Sequence, residues 1–463
     1  MANMLGLLNI GQSALLTQQK AIDITGNNIA NVNTPGYSRQ RLIMQQGQPV
    51  RVNNMTMSTG VTADPAIERF YDQFLGAQLR DENENLGRWE AQKEALEKVE
   101  LMFDEANGYG LSSAMNEYWN AWQDLSNTPD GVAERTSLLS AGQFLATTFN
   151  QMYDNVRTLQ QDIDTHVDRM ATDINEMADR IAVLNQKISQ VEITGHNANE
   201  LRDERDELVF ELAEMIDINS FEDGDGNLNI DIANGKPLVN GTSTWDLVTM
   251  DNAGVQDVFW QASDGGTVNI TTNIAGGELK GWIESRDGLL SGYLIQLDDL
   301  ANSIRNDVNT QHALGFDLNG NAGGIFFSGT GAVDMAVDAA IVADTDLIAA
   351  AGPGEGLPGG NTNAIAMANL QNAPSAALGG STFGEYYGSL VGKVGADVQS
   401  AKFNQGHQTT MVQSLESYRQ EVSGVSLDEE MINLVQFQHA YNAAAKLITT
   451  ADEMLDSILA MTS

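Results

Sequence analysis

The sequence predicts a mainly α protein with a β-rich insert, discontinuous and multidomain. In it the N- and C-terminal helices form a coiled coil, a long helical bundle forms a rod, and an outer domain is β-rich. Three observations predict this. An apolar stripe at alternating three- and four-residue steps runs unbroken from Leu145 to Val191, the spacing of one continuous helix face. Both chain ends carry a single narrow apolar stripe with no partner in the neighbouring sequence. Between residues 217 and 285 the periodicity changes to alternation, as in "LNIDI", punctuated by turns at "DGDGN", "ANGKP" and "DGGT".

At the N-terminus Leu8, Leu15, Ile22 and Ile29 recur every seven residues, with Met4 and Gly11 beside them. The helix runs into "NNIANVNTPGYSRQ", residues 27–40. Pro35 disfavours helix at Thr34 and presets the first central position of a turn, and Gly36 takes the positive φ that a type II turn needs next. A Gln- and Asn-rich stretch, read as loop, follows to about residue 63. Helical pattern resumes over Ala66 to Asn85, continues through Leu86, Trp89, Leu96, Val99 and Phe103, and returns at Leu111, Met115, Trp119 and Trp122 as core faces.

The long stripe comes next, with a stutter at Ile163 to Val167. Gly195 and Asn197 to Asn199 break it, and a shorter helix restarts through Leu201, Leu208, Leu212 and Met215. After the β-rich stretch, helix returns at Leu290, Leu294, Leu297, Leu300, Ile304 and Val308. Residues 316–378 are Gly- and Ala-rich, with strands expected near "IFFSG" and "AAIVADTD" and a mobile loop at "GPGEGLPGG". A helix through Val391, Val394, Val398, Ala401, Val412, Leu415 and Val422 is expected to lie antiparallel against the long one. Ser426, three residues before Glu429, makes a capping box for the last helix, whose seam is Met431, Leu434, Tyr441, Ala445, Ile448, Leu455 and Leu459.

These readings divide the chain into a terminal coiled-coil core domain (1–62 plus 424–463) and a helical rod domain (63–216 plus 286–315 plus 379–423). An outer β-rich domain spans 217–285, and a mixed α/β insert spans 316–378.

The formal net charge is −39, from 24 basic and 63 acidic residues, which argues against nucleic-acid binding because phosphates need clustered Lys and Arg. No run of eighteen apolar residues is present, so no membrane span is expected. The opening "MANMLGLLNIGQ" lacks the cationic start and small-residue cleavage site of a secretory signal. Residues 1–60 carry Lys20, Arg39, Arg41 and Arg51 against Asp23 alone, whereas 424–463 carry Lys446 against six carboxylates. The two ends are therefore electrostatically complementary. There is no cysteine, which excludes disulfides, thiolate metal sites and cysteine nucleophiles.

Positive signs of catalysis, cofactor or metal are missing. Gly354, Gly356 and Gly359 satisfy G-x-G-x-x-G, but Glu355 would repel a pyrophosphate and Pro358 interrupts the loop. Asp223 to Asp231 and Asp317, Asn319 and Asn321 have calcium-like alternating oxygens without the Gly and Glu that an EF-hand loop needs, and read as Asx turns. The five histidines are scattered.

The string at 27–40 resembles the N-terminal signature of the bacterial flagellar axial proteins, the rod, hook and hook-associated family. "SGVSLDEEMINLVQFQHAYNAAAKLITTADEMLDSIL" at 423–459 resembles their C-terminal counterpart. "TPGYSRQ" followed by Arg41, "NELRDERDEL" at 199–208, "GFDLNGNAGG" at 315–324 and "EYYGSLVGKVG" at 385–395 are most similar to the members at the hook–filament junction. The resemblance implies a non-enzymatic structural protein, exported unfolded through the flagellar type III apparatus and placed outside the cell. It implies as partners further copies of the chain in a ring-like layer, the hook protein, the next hook-associated junction protein and an export chaperone, with no cofactor, nucleic acid or membrane. The chain is shorter than the larger members, which implies a missing or reduced outer domain. A hook or distal rod protein is the alternative within the family, and a hydrolase carried in 217–378 the alternative outside it. The assembly interface is expected at Leu8, Leu15, Ile22, Asn28, Ile29, Asn31, Pro35, Gly36 and Tyr37 from the N-terminus, and at Met431, Leu434, Tyr441, Ile448 and Leu455 from the C-terminus.

Overall fold

The computed structural model describes residues 2–47, 50–52, 55–57, 60–103 and 110–462. The side chains of Met4 and Leu459, at the outer ends of the two terminal stripes, lie outside the described residues.

Helix α1 spans Ala2–Ala30 and stops where the sequence says it must. Tyr37 N donates to the Thr34 carbonyl at 3.3 Å across a turn with Gly36 at φ +74°, the type II geometry that Pro35-Gly36 encodes. The chain then enters β1 (Gln40–Gln46), β2 (Val50–Val52), β3 (Met55–Met57) and β4 (Val61–Arg69). β1 pairs antiparallel with β4, and β2 with β3. This corrects two expectations, the loop to residue 63 and the helix beginning at Ala66. Along β1 only Gln40 is buried and the other residues are half-buried or exposed, so its side chains need not alternate in polarity and no strand signal reaches the sequence.

Helix α2 (Gln73–Met102) starts at Asp72, whose carboxylate accepts from Phe74 N and Leu75 N, satisfying two orphan donors of the first turn. Helix α3 (Leu111–Asn127) buries Leu111, Met115, Tyr118, Trp119 and Trp122. Helix α4 (Val132–Glu192) has 61 residues, a rod about 90 Å long at 1.5 Å per residue. Its stripe is buried as read, from Leu145 through Phe149, Val156, Ile163, Val167, Ile174 and Ile181 to Ile188. Val191 is exposed, past the end of that packing. Helix α5 (Asn199–Met215) doubles back after the break at Gly195.

The β-rich stretch makes two antiparallel sheets. β5 (Ile218–Glu222), β6 (Leu228–Ile232), β7 (Lys236–Asn240) and β8 (Ser243–Thr244) form a meander. β9 (Leu247–Asp251), β10 (Gln256–Gln261) and β11 (Thr267–Asn269) form a second sheet in the order β11-β10-β9. Two asparagines of α4 staple them on. The Asn175 side chain exchanges two 2.8 Å hydrogen bonds with the Leu247 backbone. The Asn185 amide donates to the Leu228 and Gly241 carbonyls and accepts from Leu228 N.

The strand character ends earlier than the sequence suggests, because Gly277–Glu284 is helix α6. Leu279, Trp282 and Ile283 are buried there at helical spacing, a signal too short to outweigh its glycines and apolar run. One π-helical turn, Ser285–Leu290, joins α6 to α7 (Ser291–His312). β12 (Phe327–Ser328) falls within "IFFSG" and pairs with β13 (Ala336–Val337). "AAIVADTD" is not a strand: Ala339–Ala343 is helix α8, capped by Asp338 accepting from Ala340 N, since alanines behind an Asp cap are a helix start. Helix α9 spans Thr362–Asn369.

Helix α10 (Phe383–Ser423) opens on a capping box between Thr382 and Glu385. It runs antiparallel to α2, not along α4: Lys402 meets Glu97 and Glu100, Gln405 meets Glu90, and Gln408 meets Glu82. The stripe of α4 is already occupied by α3, α5, α7 and the sheets, and α2 is the helix left with a free apolar face. Helix α11 (Leu427–Thr462) returns antiparallel beside α1, with Gly11 against Leu447 and Ile448 at one end and Asn28 against Glu430 at the other.

Candidate assembly interface

Three signature strings that are far apart in sequence converge on one joint. Asn28, 1% exposed, is its centre. Its amide donates to the Gln40 carbonyl at 2.9 Å and to Glu430 Oε2 at 3.1 Å. Its Oδ1 accepts from Gln40 N at 3.0 Å and from the Tyr37 hydroxyl at 2.9 Å. One side chain thus ties α1, the turn, β1 and α11 together with all four of its hydrogen-bonding positions used. Asn31 holds the turn from inside, donating to Asn27 Oδ1 at 2.8 Å while its own oxygen accepts from the Thr34 hydroxyl. The Tyr37 hydroxyl is pushed far above its ordinary pKa by burial and by Asp203, Glu200 and Glu430, so it remains a donor to Asn28.

The remaining contacts are ionic. Arg39 reaches Glu430 and Glu429, each at 2.8 Å, and its N–H donates to the Ser423 carbonyl, where α10 ends. This realises the charge complementarity of the two chain ends, and it takes Glu429, the residue read as half of a capping box, into an ion pair. Behind the turn, the acidic face of α5 closes the joint. Asp203 accepts from Ser38 N at 2.9 Å and from Arg69 at 2.8 Å, and Asp206 accepts from Arg69 at 2.7 Å. Burial raises the pKa of Asp203, opposed by those same donors; burial also disfavours the Arg69 cation, but Asp206 and Asp203 outweigh it. Gly36 sits close over Glu207, where a Cβ would come within 2.8 Å of its carboxylate oxygen. A cleft of about 700 Å³ opens beside the turn, lined among others by Pro35, Tyr37, Phe210 and Arg419.

Beyond the joint, α1 and α11 bury little. The contact line on α1 runs through Gly11, Thr17, Ala21, Ile24, Thr25 and Asn28, and on α11 the buried positions among the described side chains are Glu430, Ala444 and Ala451. Leu8, Leu15, Ile22 and Ile29 are half-buried at its edge, as are Leu434, Ile448 and Leu455. Met431 and Tyr441 point to solvent at 53% and 37% exposure, together with Leu16, Ile432, Val435 and Met454. The pairing within the chain thus runs along small and polar residues with Ile24, Leu447 and Ile448 among them, while several large apolar side chains face outward. Pro35 is exposed, and Gly36, Tyr37 and Asn31 are half-buried.

Sequence reasoning found Asn28 and the turn but not Arg69, Asp203, Asp206 or Glu430. Nothing in "NELRDERDEL" by itself says which of its charges are buried. The available signal was that three signature strings, each unusual alone, need a common place to meet.

The other candidate chemistry folds in on itself. Asp223 accepts from Asp225 N and Asn227 N, and Asp317 from Asn319 N and Asn321 N, so both calcium-like strings are Asx turns. Glu355 Oε2 accepts from Gly352 N and Thr362 N, filling the glycine-rich loop with a carboxylate. Among the described residues no group of three or more His, Asp and Glu could hold a metal ion, and no helix is long and apolar enough to cross a membrane.

Comparison with known proteins follows the same lines. Residues 96–327 match the family profile of the flagellar hook-associated protein FlgK helical domain. Residues 8–37 match that of flagella basal body rod proteins, and 416–461 that of the C-terminal region of flagellar basal body rod FlgEFG proteins. The chain is 31% identical over 496 residues to flagellar hook-associated protein 1 of Bacillus subtilis, covering 98% of this chain and 97% of the relative. It is 26% identical over 547 residues to the Escherichia coli protein of the same name, covering 98% and 100%. Among solved structures, the flagellar hook junction protein FlgK from Burkholderia pseudomallei aligns with TM-score 0.66 at 16% identity, over 75% of this chain and 100% of that one.

Proposed function

This chain belongs to the flagellar hook-associated protein 1 family and is a structural protein of the bacterial flagellum, and from that premise we propose that it joins hook to filament as a ring-like layer of identical subunits. The observation that carries the reading is the exposed apolar face of the terminal helix pair. Leu16, Met431, Ile432, Val435 and Met454 are each between 49% and 67% exposed. Fully burying each such side chain against a neighbouring copy is worth roughly 1.5–3 kcal/mol, so the face gains most by being covered. Leu8, Leu15, Ile22, Ile29, Leu434, Tyr441, Ile448 and Leu455 border it and would be sealed by the same contacts.

In this reading the joint around Asn28, Asn31, Pro35, Gly36 and Tyr37 sets the angle between the terminal pair and the rod. One rim of the layer contacts the hook protein and the other the next hook-associated junction protein. The helix α11, whose apolar residues are exposed before assembly, is the segment for an export chaperone to cover. The subunit passes through the type III apparatus to the outside of the cell and carries no catalytic site. The domain division follows the sequence reading with one change: α6 packs on α2 and α5, so 277–284 goes with the rod and the outer β-rich domain ends before it.

The test is assembly onto isolated hooks. Wild-type subunits should add one short layer and stop. A variant lacking residues 1–30 should fold its rod, with α4 helicity retained by circular dichroism, and fail to add; cells carrying it should lack filaments. Normal filaments from that variant would defeat the reading, and growth into long tubes by the wild type would favour a hook or rod role.

A further inference from the structure

The chain has eighteen methionines and no cysteine, so the thioether is the one side-chain sulfur an oxidant can meet. The fold sorts those methionines. Met115, Met152, Met170, Met335 and Met367 lie in the rod and the insert, none more than 7% exposed. Among the described side chains the two most exposed methionines are Met431 and Met454, both on α11 and both 53% exposed. Met44, Met250 and Met411 follow at no more than 40%.

Each of the two is the middle of an apolar ridge. Leu427, Met431 and Val435 follow at four-residue steps and all stand about half in solvent. Leu447, Met454 and Ile458 follow at steps of seven and four, and all are exposed. Residues so spaced lie side by side on a helix surface, and an unbranched thioether between branched neighbours adapts to whatever is laid over it. The charges next to them in sequence are acids: Asp428, Glu429 and Glu430 beside Met431, and Asp452, Glu453 and Asp456 beside Met454. In a chain of net charge −39 these repel an anionic oxidant. A neutral hydroperoxide is not repelled and reaches the sulfur.

We propose that Met431 and Met454 are oxidation sites, and that their conversion to methionine sulfoxide by a hydroperoxide stops the subunit from joining its layer while its fold persists. The inference rests on the ring-like layer proposed above. The sulfur lone pair attacks one oxygen of hydrogen peroxide and the O–O bond breaks. The proton of the transferred oxygen passes to the departing hydroxide, which leaves as water; the sulfur is oxidised and the peroxide reduced. The new S–O dipole stands in the centre of each ridge, where a neighbouring copy would bury it without a donor. The core methionines are shut away from peroxide, so the rod stays packed. In a closed layer the same contacts shield both sulfurs of α11.

The test treats the full-length monomer with dilute hydrogen peroxide and offers it to isolated hooks, with peptide mass spectrometry recording which methionines have gained oxygen. Met431 and Met454 should be oxidised first, helicity by circular dichroism should be unchanged, and addition should fall roughly tenfold. Met431→Leu/Met454→Leu keeps both ridges apolar and should add equally before and after the same treatment. Methionine sulfoxide reductases should restore addition to the oxidised wild type. Subunits treated after their layer has formed should resist oxidation at both positions. Earlier oxidation of other methionines overturns the proposal. So does undiminished addition by a subunit carrying both sulfoxides, or a double-leucine variant that loses addition on treatment as wild type does. Untreated wild type that forms no layer would sink the ring reading and this inference with it, whereas untreated addition that oxidation leaves untouched sinks this inference alone.

Discussion

Helix α4 and the terminal helices carry the same kind of apolar repeat and meet opposite fates. Along α4, Leu145, Phe149, Val156, Val167, Ile174, Ile181 and Ile188 are all 0% exposed, covered by α3, α5, α7 and two sheets. On the terminal pair, residues of the same types stand at the edge of the contact or in solvent, because among the described residues α1 and α11 pack mainly on each other and on the β1–β4 ribbon. A heptad stripe says that a face is to be buried; it does not say by which molecule. Where one chain supplies enough neighbours the stripe becomes core, and where it does not, the remainder stays exposed.

The comparison can be broken first at its strong end. Phe149→Ala should lower unfolding stability by about 3–5 kcal/mol, read by denaturant titration, since its ring is fully enclosed. A loss under 1 kcal/mol would mean that the rod core is much looser than its burial indicates.

Next comes the joint between the two regions. Arg69→Ala leaves Asp203 and Asp206, 7% and 13% exposed, without their shared cation, and removing one partner of such a buried pair costs about 3–5 kcal/mol. Burial already raises Asp203 and the lost pairing works in the same direction, so the variant should regain part of that stability as the pH is lowered and the carboxyl takes up a proton. Asn28→Ala should cost about 1–3 kcal/mol through the buried partners it strands, and hydrogen exchange should report the loss at Gln40 N, which loses its acceptor, before it reaches α4.

The same contrast explains what could be read from the sequence. The long stripe, the Pro35-Gly36 turn and the break after Gly195 were legible because each is local: periodicity over many residues, or a backbone conformation that few residues allow. The strands after the turn were not, since β1, buried only at Gln40, carries no alternation. Helix α6 and helix α8 were too short for a period to accumulate, and the choice of α2 over α4 by α10 depends on which faces the rest of the fold leaves free. The site was half legible. Asn28 and Tyr37 stand in an odd string, but Arg69, Asp203 and Glu430 are ordinary charges until the fold brings 134-residue and 402-residue separations to hydrogen-bond distance.

The smallest effect on stability is the sharpest test of the contrast. Ile432 is 67% exposed, so Ile432→Gln removes little packing and keeps a good helix former. Its unfolding stability should stay within about 0.5 kcal/mol of wild type. The same change places a polar amide in the middle of the outward face, beside Met431 and Val435. If that face is covered by neighbouring copies, each subunit in the layer meets the penalty, and it is repeated around the ring. Addition to isolated hooks, followed by pelleting, should then fall at least tenfold, equivalent to about 1.4 kcal/mol per subunit contact. Phe149→Ala should show the reverse pattern, a large loss of stability with assembly retained while the subunit stays folded. Unimpaired addition of Ile432→Gln would mean that this face is not the one the layer covers.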